Sequence, residues 1–112
     1  ILPEYKAAYI YLTRAELNKY KFQPGDTEGF VNYPLSIKGI VLSAFFVEGM
    51  DHIKISFRSR GEFSVNKLAR EHFNGGGHKN ASGGRTTLSL RKTTRLFETV
   101  LESYKNELLE NQ

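Results

Sequence analysis

Apolar residues recur along this chain with two different periods, and the change of period marks its elements. Ala8 to Leu12 (Ala-Tyr-Ile-Tyr-Leu) is β-branched and aromatic and predicts a strand. Thr13 and Glu16 then stand at capping-box spacing, which predicts a helix to about residue 20. Residues 21–25 predict a connector turning at Pro24-Gly25, and Asp26 or Thr27 can cap a short helix near Glu28. Pro34 interrupts that helix and predicts a second short turn over residues 35–37. Residues 40–47 (Ile-Val-Leu-Ser-Ala-Phe-Phe-Val) are apolar nearly throughout, the pattern of a central strand covered on both faces. After a turn at residues 48–51, Ile53, Ile55 and Phe57 alternate with Lys54, Ser56 and Arg58, as in an antiparallel partner with one polar face.

Ser64 can cap a helix whose apolar stripe is Val65, Leu68, Ala69 and Phe73 and whose stop is Asn74-Gly75. Residues 81–90 predict a further strand. Phe97, Val100, Leu101, Tyr104 and Leu108 recur at helical spacing and predict one closing amphipathic helix from about Lys92. The expected fold is therefore α/β: a single domain over residues 1–112, with a mixed β-sheet of about four or five strands and helices packed against it. A chain of 112 residues can bury one apolar core without covalent staples.

Composition narrows the function classes. The chain has no cysteine, which excludes disulfides and thiolate metal sites. No apolar run approaches the roughly 20 residues of a membrane span, and no secretory leader pattern opens the chain, so a soluble cytoplasmic protein is expected. The first residue is Ile1, which suggests excision from a longer chain. The net charge is +4, but it is unevenly spread. From Lys54 to Arg95 there are ten basic residues against two acidic ones, a surplus of eight, while the remainder is net acidic. The basic segment brackets a glycine-rich stretch, and an anionic ligand is expected there.

That stretch reads Asn74-Gly75-Gly76-Gly77-His78-Lys79-Asn80-Ala81-Ser82-Gly83-Gly84-Arg85. Three glycines in a row remove every Cβ from a short arc, so its N–H groups can approach a phosphate closely. His78 and Lys79 can add charge-assisted hydrogen bonds, and Asn80 can read a sugar hydroxyl or a base edge. The glycine spacing matches neither the P-loop nor the dinucleotide fingerprint. A triple glycine alone is equally a flexible turn after a helix end, with His78 as polar surface.

The run Gly-Gly-Gly-His-Lys-Asn-Ala-Ser-Gly, preceded by Ile-Lys-Ile-Ser-Phe-Arg-Ser-Arg and by Thr-Glu-Gly-Phe-Val-Asn-Tyr-Pro-Leu-Ser-Ile, resembles the DHH-associated C-terminal domain of DHH-family phosphoesterases. The similarity spans nearly the whole chain and is greatest to the bacterial nanoRNase and phosphoadenosine-phosphate phosphatase branch, often labelled exopolyphosphatase-related. The resemblance implies a phosphate contact by His78, a phosphate site lined by Gly75, Gly76 and Gly77, and a nucleotide contact by Arg58 with Ser59 and Arg60 beside it. Lys79 and Asn80 complete the expected binding set. It also implies that catalysis resides in an upstream Asp-His-His domain, absent from this chain, that holds two divalent cations, typically manganese. This chain would then bind no metal, contribute no catalytic residue and be inactive alone, and any homodimer would form through the missing domain.

The expected substrates are short oligoribonucleotides, phosphoadenosine phosphate or related dinucleotides. Two other readings stay open: a stand-alone nucleic-acid-binding module, as in related domains of alanyl-tRNA synthetases, and a regulatory anion sensor. Asp51-His52 superficially evokes the metal signature but falls in a predicted hairpin turn and is read as turn chemistry. Glu28, Asn32 and Ser36, and Asn66 and Lys67, are secondary candidates for ligand contact. Tyr5, Tyr9, Tyr11, Phe45, Phe46 and Phe57 are expected in the core rather than on a base-stacking platform.

Overall fold

The computed structural model describes residues 1–19 and 34–110. The predicted connector at 21–25 and the helix near Glu28 lie outside the described residues, as do Glu28 and Asn32. Among these residues five strands form one mixed sheet: β1 (Ala7–Leu12), β2 (Leu42–Glu48), β3 (Ile53–Ser59), β4 (Gly76–His78) and β5 (Ala81–Thr86). Their order across the sheet is β1-β2-β3-β5-β4. β1 and β2 run parallel, and every other neighbouring pair is antiparallel. Among the described residues four helices accompany the sheet: α1 (Arg14–Lys19), α2 (Val65–His72), α3 (Leu90–Ser103) and α4 (Lys105–Glu110). The α/β expectation of a single domain with a mixed sheet is met.

Local chemistry accounts for the boundaries. The Thr13 N–H donates to Glu16 Oε1 at 2.9 Å while the Glu16 N–H donates to Thr13 Oγ1 at 3.1 Å, the reciprocal bonds of a capping box. Ser64 Oγ accepts from the Lys67 N–H at 3.2 Å to start α2, and Ser89 Oγ accepts from the Lys92 N–H to start α3. α2 stops through Asn74, which takes the left-handed φ of 52°. Asn is the commonest residue after glycine at such a position. The predicted second turn is present as a single 3₁₀ turn, Pro34–Ser36.

Alternation along β3 divides the sheet into two faces. Ile53, Ile55 and Phe57 point into the core with Leu42, Ala44 and Phe46 of β2, where Val65, Leu68 and Ala69 of α2 and Phe97, Val100 and Leu101 of α3 cover them. An aromatic chain runs through this layer: Phe46 meets Phe97 edge-on at 5.5 Å, and Phe57 meets Phe73 at 5.2 Å. On the opposite face Ser43 and Phe45 of β2 are also buried, so β2 is covered on both sides as its sequence indicates. The Pro34–Ser36 turn contacts β1 and β2. Of the aromatics assigned to the core, Tyr11 departs: it is 51% exposed on edge strand β1.

The closing helix is two helices. At Tyr104 the N–H bonds the carbonyl of Leu101 at 3.0 Å, a tightened i→i−3 turn, before α4 begins. Tyr104 packs edge-on against Phe63 at 5.7 Å and donates its hydroxyl to Glu71 Oε1 at 2.6 Å. One tightened turn barely changes the spacing of apolar positions, so the periodicity passed through the break unmarked.

Candidate functional site

The sheet register carries the polar face of β3 outward across β5 and β4. Arg58 lies opposite Ala81, and Ala81 lies opposite His78. Arg58 and His78 thus occupy one row two strand spacings apart, about 10 Å between backbones, with only an alanine methyl between them. In the next row Ser56 lies opposite Gly83, and Gly83 opposite Gly76. The result is a floor nearly bare of side chains. Arg58, Gly76, Gly77 and His78 line one cleft of about 400 Å³ with Lys54, Ser56, Ala81, Ser82 and Gly83. Arg58 Nη1 donates to the Phe57 carbonyl at 2.9 Å, which steadies the guanidinium along the strand.

Gly76 and Gly77, with His78, form an edge strand paired to β5 rather than a free arc. Its N–H groups are partly committed, since the Gly77 N–H donates to Asn66 Oδ1 at 3.0 Å. Asn66 therefore ties α2 to β4. Ser82 Oγ donates to the His78 carbonyl at 2.7 Å and holds the far end of the strand. Within the run of three, glycine is demanded at two places by packing. Gly77 has φ +150°, and a Cβ there would come within 2.9 Å of the Ala81 oxygen and of Ser82 Cα. A Cβ on Gly75 would stand 1.9 Å from the Gly83 oxygen. Gly75 is thus a contact between α2 and β5 and is not part of the cleft lining.

Four further residues of the expected set sit elsewhere. Ser59 is buried and donates its hydroxyl to the Phe63 carbonyl at 2.7 Å. Asn80 donates Nδ2 to Ser59 Oγ at 2.9 Å and to the Gly61 carbonyl at 3.1 Å. Together they fasten the segment from β3 to α2 onto the β4–β5 turn, whose Lys79 carbonyl accepts from the Val65 N–H at 2.8 Å. Lys79 Nζ pairs with Glu62 Oε2, and that ion pair holds the Glu62 carboxyl below the usual carboxylate range. Arg60 donates to the Leu35 carbonyl and lines a separate cavity with Lys6 and Lys38. The structure therefore gathers Arg58, Gly76, Gly77 and His78, and separates Ser59, Arg60, Gly75, Lys79 and Asn80 from them.

Lys54, Ser56 and Ser82 line the same cleft without having been singled out from the sequence. For Lys54 and Ser56 a signal existed: they share the strand parity of Arg58. Asp51 and His52 bond each other, Oδ1 to Nδ1, at 2.7 Å in the β2–β3 turn, and that bond lowers the Asp51 pKa. Among the described residues no three His, Asp or Glu side chains gather where they could share a metal ion.

Comparison with known proteins places this architecture. Residues 4–106 match the DHHA1 domain family. The bifunctional oligoribonuclease and PAP phosphatase NrnA of Bacillus subtilis is 39% identical over 82 residues, covering 73% of this chain and 26% of that protein. The protein of the same name from Thermus thermophilus is 35% identical over 83 residues, covering 74% of this chain and 25% of that protein. The chain thus spans about a quarter of the length of these relatives. The crystal structure of an exopolyphosphatase-related protein from Bacteroides fragilis superposes with a TM-score of 0.96 at 48% identity, over 98% of this chain and 32% of that one. With both its sequence and its sheet matched nearly end to end, the chain belongs to the DHHA1 domain family.

Proposed function

We propose that this chain is the substrate-binding domain of a metal-dependent phosphoesterase that hydrolyses short oligoribonucleotides, phosphoadenosine phosphate or related dinucleotides in the cytoplasm. The observation that carries this reading is the single cleft shared by Arg58 and His78 above a glycine floor. A planar guanidinium can pair with phosphate oxygens while its face stacks on a base, a combination lysine lacks. The imidazole of His78 supplies a second donor to the same anion, and the glycines let a ligand reach the strand backbone. The relatives named as oligoribonuclease and PAP phosphatase support the substrate class.

Divalent cations, manganese foremost, belong in this reading to an Asp-His-His module outside this chain. Metals bound there would supply an activated water and Lewis-acid stabilisation of charge. This chain's part is to hold the ligand by its charge and fix its orientation, which lowers the barrier by proximity.

In a protein carrying both modules, His78→Ala should lower kcat/KM for a 5′-phosphorylated dinucleotide by about tenfold to a hundredfold, the worth of one hydrogen bond to a charged group. Metal content should stay unchanged. Arg58→Lys should impair turnover too, because the charge survives but the planar fork does not. If both variants turn over at the parent rate, the cleft is not the substrate site. Binding that strengthens steadily with strand length and falls steeply with salt, in a protein without hydrolytic activity, would favour a nucleic-acid-binding module instead.

A further inference from the structure

The outer face of α3 carries its charges in an order that opposes the helix itself. Thr93, Phe97, Val100 and Leu101 are buried and fix which side of α3 meets the core. Arg91, Arg95, Glu98 and Glu102 follow one another at steps of four, three and four residues, so all of them fall on one stripe turned away from that core. Arg91, Arg95 and Glu102 are exposed and Glu98 is half-buried. The first turn of α3 holds no acid and the last turn no base, the reverse of what the helix macrodipole favours. Arg91 and Arg95 repel each other at i,i+4, as do Glu98 and Glu102. Among the described residues neither arginine forms an ion pair. Glu102 accepts the Tyr5 hydroxyl on Oε2 at 2.6 Å, which steadies the carboxylate and leaves Oε1 for a partner.

Turned end for end, the stripe is its own complement. A two-fold axis passing midway between Leu96 and Phe97 sets Arg91 level with Glu102 of a second copy, and Arg95 level with Glu98 of that copy, because both pairs are centred on the same point. Symmetry repeats each pairing, and the two helix dipoles then run antiparallel and attract. Thr94 and Thr99 flank the stripe and are small enough to let the helices approach to about 10 Å. We infer that the outer face of α3 is a self-docking surface through which two copies of this chain pair with their α3 helices antiparallel. The pairing explains why an order unfavourable to a solitary helix is present: each repulsion within α3 is matched by attractions across the axis. The contact is carried by exposed charge rather than apolar area, so it is weak and salt-sensitive. α3 covers the face of β3 that bears Ile55 and Phe57, opposite the face that bears Ser56 and Arg58, so pairing leaves both clefts open.

The test is sedimentation equilibrium of the full chain up to millimolar concentration, in about 50 mM and about 500 mM salt. The wild type should form a reversible dimer at the lower salt, and its dissociation constant should rise about tenfold at the higher. Arg95→Glu sets carboxylate against carboxylate across the axis and should weaken the dimer about tenfold. Glu98→Arg sets guanidinium against guanidinium and should do the same. The two substitutions together restore opposite charges across the axis and should restore the dimer, while circular dichroism melting checks that each variant is folded. A wild type that stays monomeric at millimolar concentration in low salt overturns the inference. So does a dimer indifferent to Arg95→Glu, or a doubly substituted chain that pairs no better than either single variant.

Discussion

Gly75 approaches Gly83 so closely that a Cβ placed on Gly75 would come 1.9 Å from the Gly83 carbonyl oxygen. The contact joins the end of α2 to the middle of β5, and the Gly75 N–H is itself fixed by the Ala69 carbonyl at 3.1 Å. The first glycine of the run thus has a packing role that is separate from any ligand. Two functions are superposed on three residues: Gly75 lets two backbones meet, whereas Gly76 and Gly77 line the cleft.

Replacing Gly75 and Gly76 by alanine separates these roles. Gly75 does not have a positive φ, so the penalty in Gly75→Ala is steric. Backbone must move to admit the methyl, and overpacking of this kind costs about 1–3 kcal/mol or more. At Gly76 the added Cβ would meet Arg70 Cγ at 3.2 Å and Asn66 Oδ1 at 3.3 Å, side-chain atoms that can give way. Urea unfolding should show a large drop in midpoint for Gly75→Ala and a small one for Gly76→Ala. Equal drops would mean that the close contact is not decisive for the fold.

Much of this architecture could be read from residue order because the governing interactions are local. The period-two alternation of β3, the Thr13–Glu16 capping box and the Ser64 cap each depend on residues within a few positions of one another, and each is present as expected. What could not be read depends on contacts between distant segments. The glycine run becomes strand β4 only because β5 offers it an edge, a pairing set by tertiary position rather than by the low strand preference of glycine. Likewise Asn80, a candidate for reading a base, stays exposed but commits its Nδ2 to Ser59 Oγ and the Gly61 carbonyl, 21 and 19 residues away in the chain. Arg58 and His78 meet in one cleft through β5, a strand that neither belongs to.

The bonds of Asn80 to its own fold make a prediction about its role. Its Nδ2 serves Ser59 Oγ and the Gly61 carbonyl, and Ser59 is buried. Asn80→Ala should therefore cost about 0.5–1.5 kcal/mol of stability, the net worth of an ordinary hydrogen bond, because water can reach the exposed Gly61 carbonyl. Substrate affinity, measured below the melting transition, should change little. A variant with native stability but weakened substrate binding would return Asn80 to the ligand site.

The Tyr104–Glu71 bond predicts how stability depends on pH. The phenol donates to the carboxylate, so the bond lowers the Glu71 pKa below its ordinary 4.5. Partial burial and the same bond push the Tyr104 pKa well above its ordinary 10.0. A carboxyl with a depressed folded-state pKa stabilises the fold above its unfolded pKa, and that contribution is lost as pH falls through the folded value. A phenol with a raised folded-state pKa stabilises the fold below its unfolded pKa, and that contribution is lost as pH rises through the folded value. Melting temperatures measured across both limbs should therefore decline below pH 4.5 and above pH 10.0. Tyr104→Phe should lower the melting temperature by a few degrees at neutral pH and make both limbs shallower. Part of each decline should persist in the variant, because Thr13 also lowers the Glu16 pKa and the bond to Glu102 pushes Tyr5 up to about 12. Limbs unchanged by Tyr104→Phe would show that this bond does not couple proton uptake to folding.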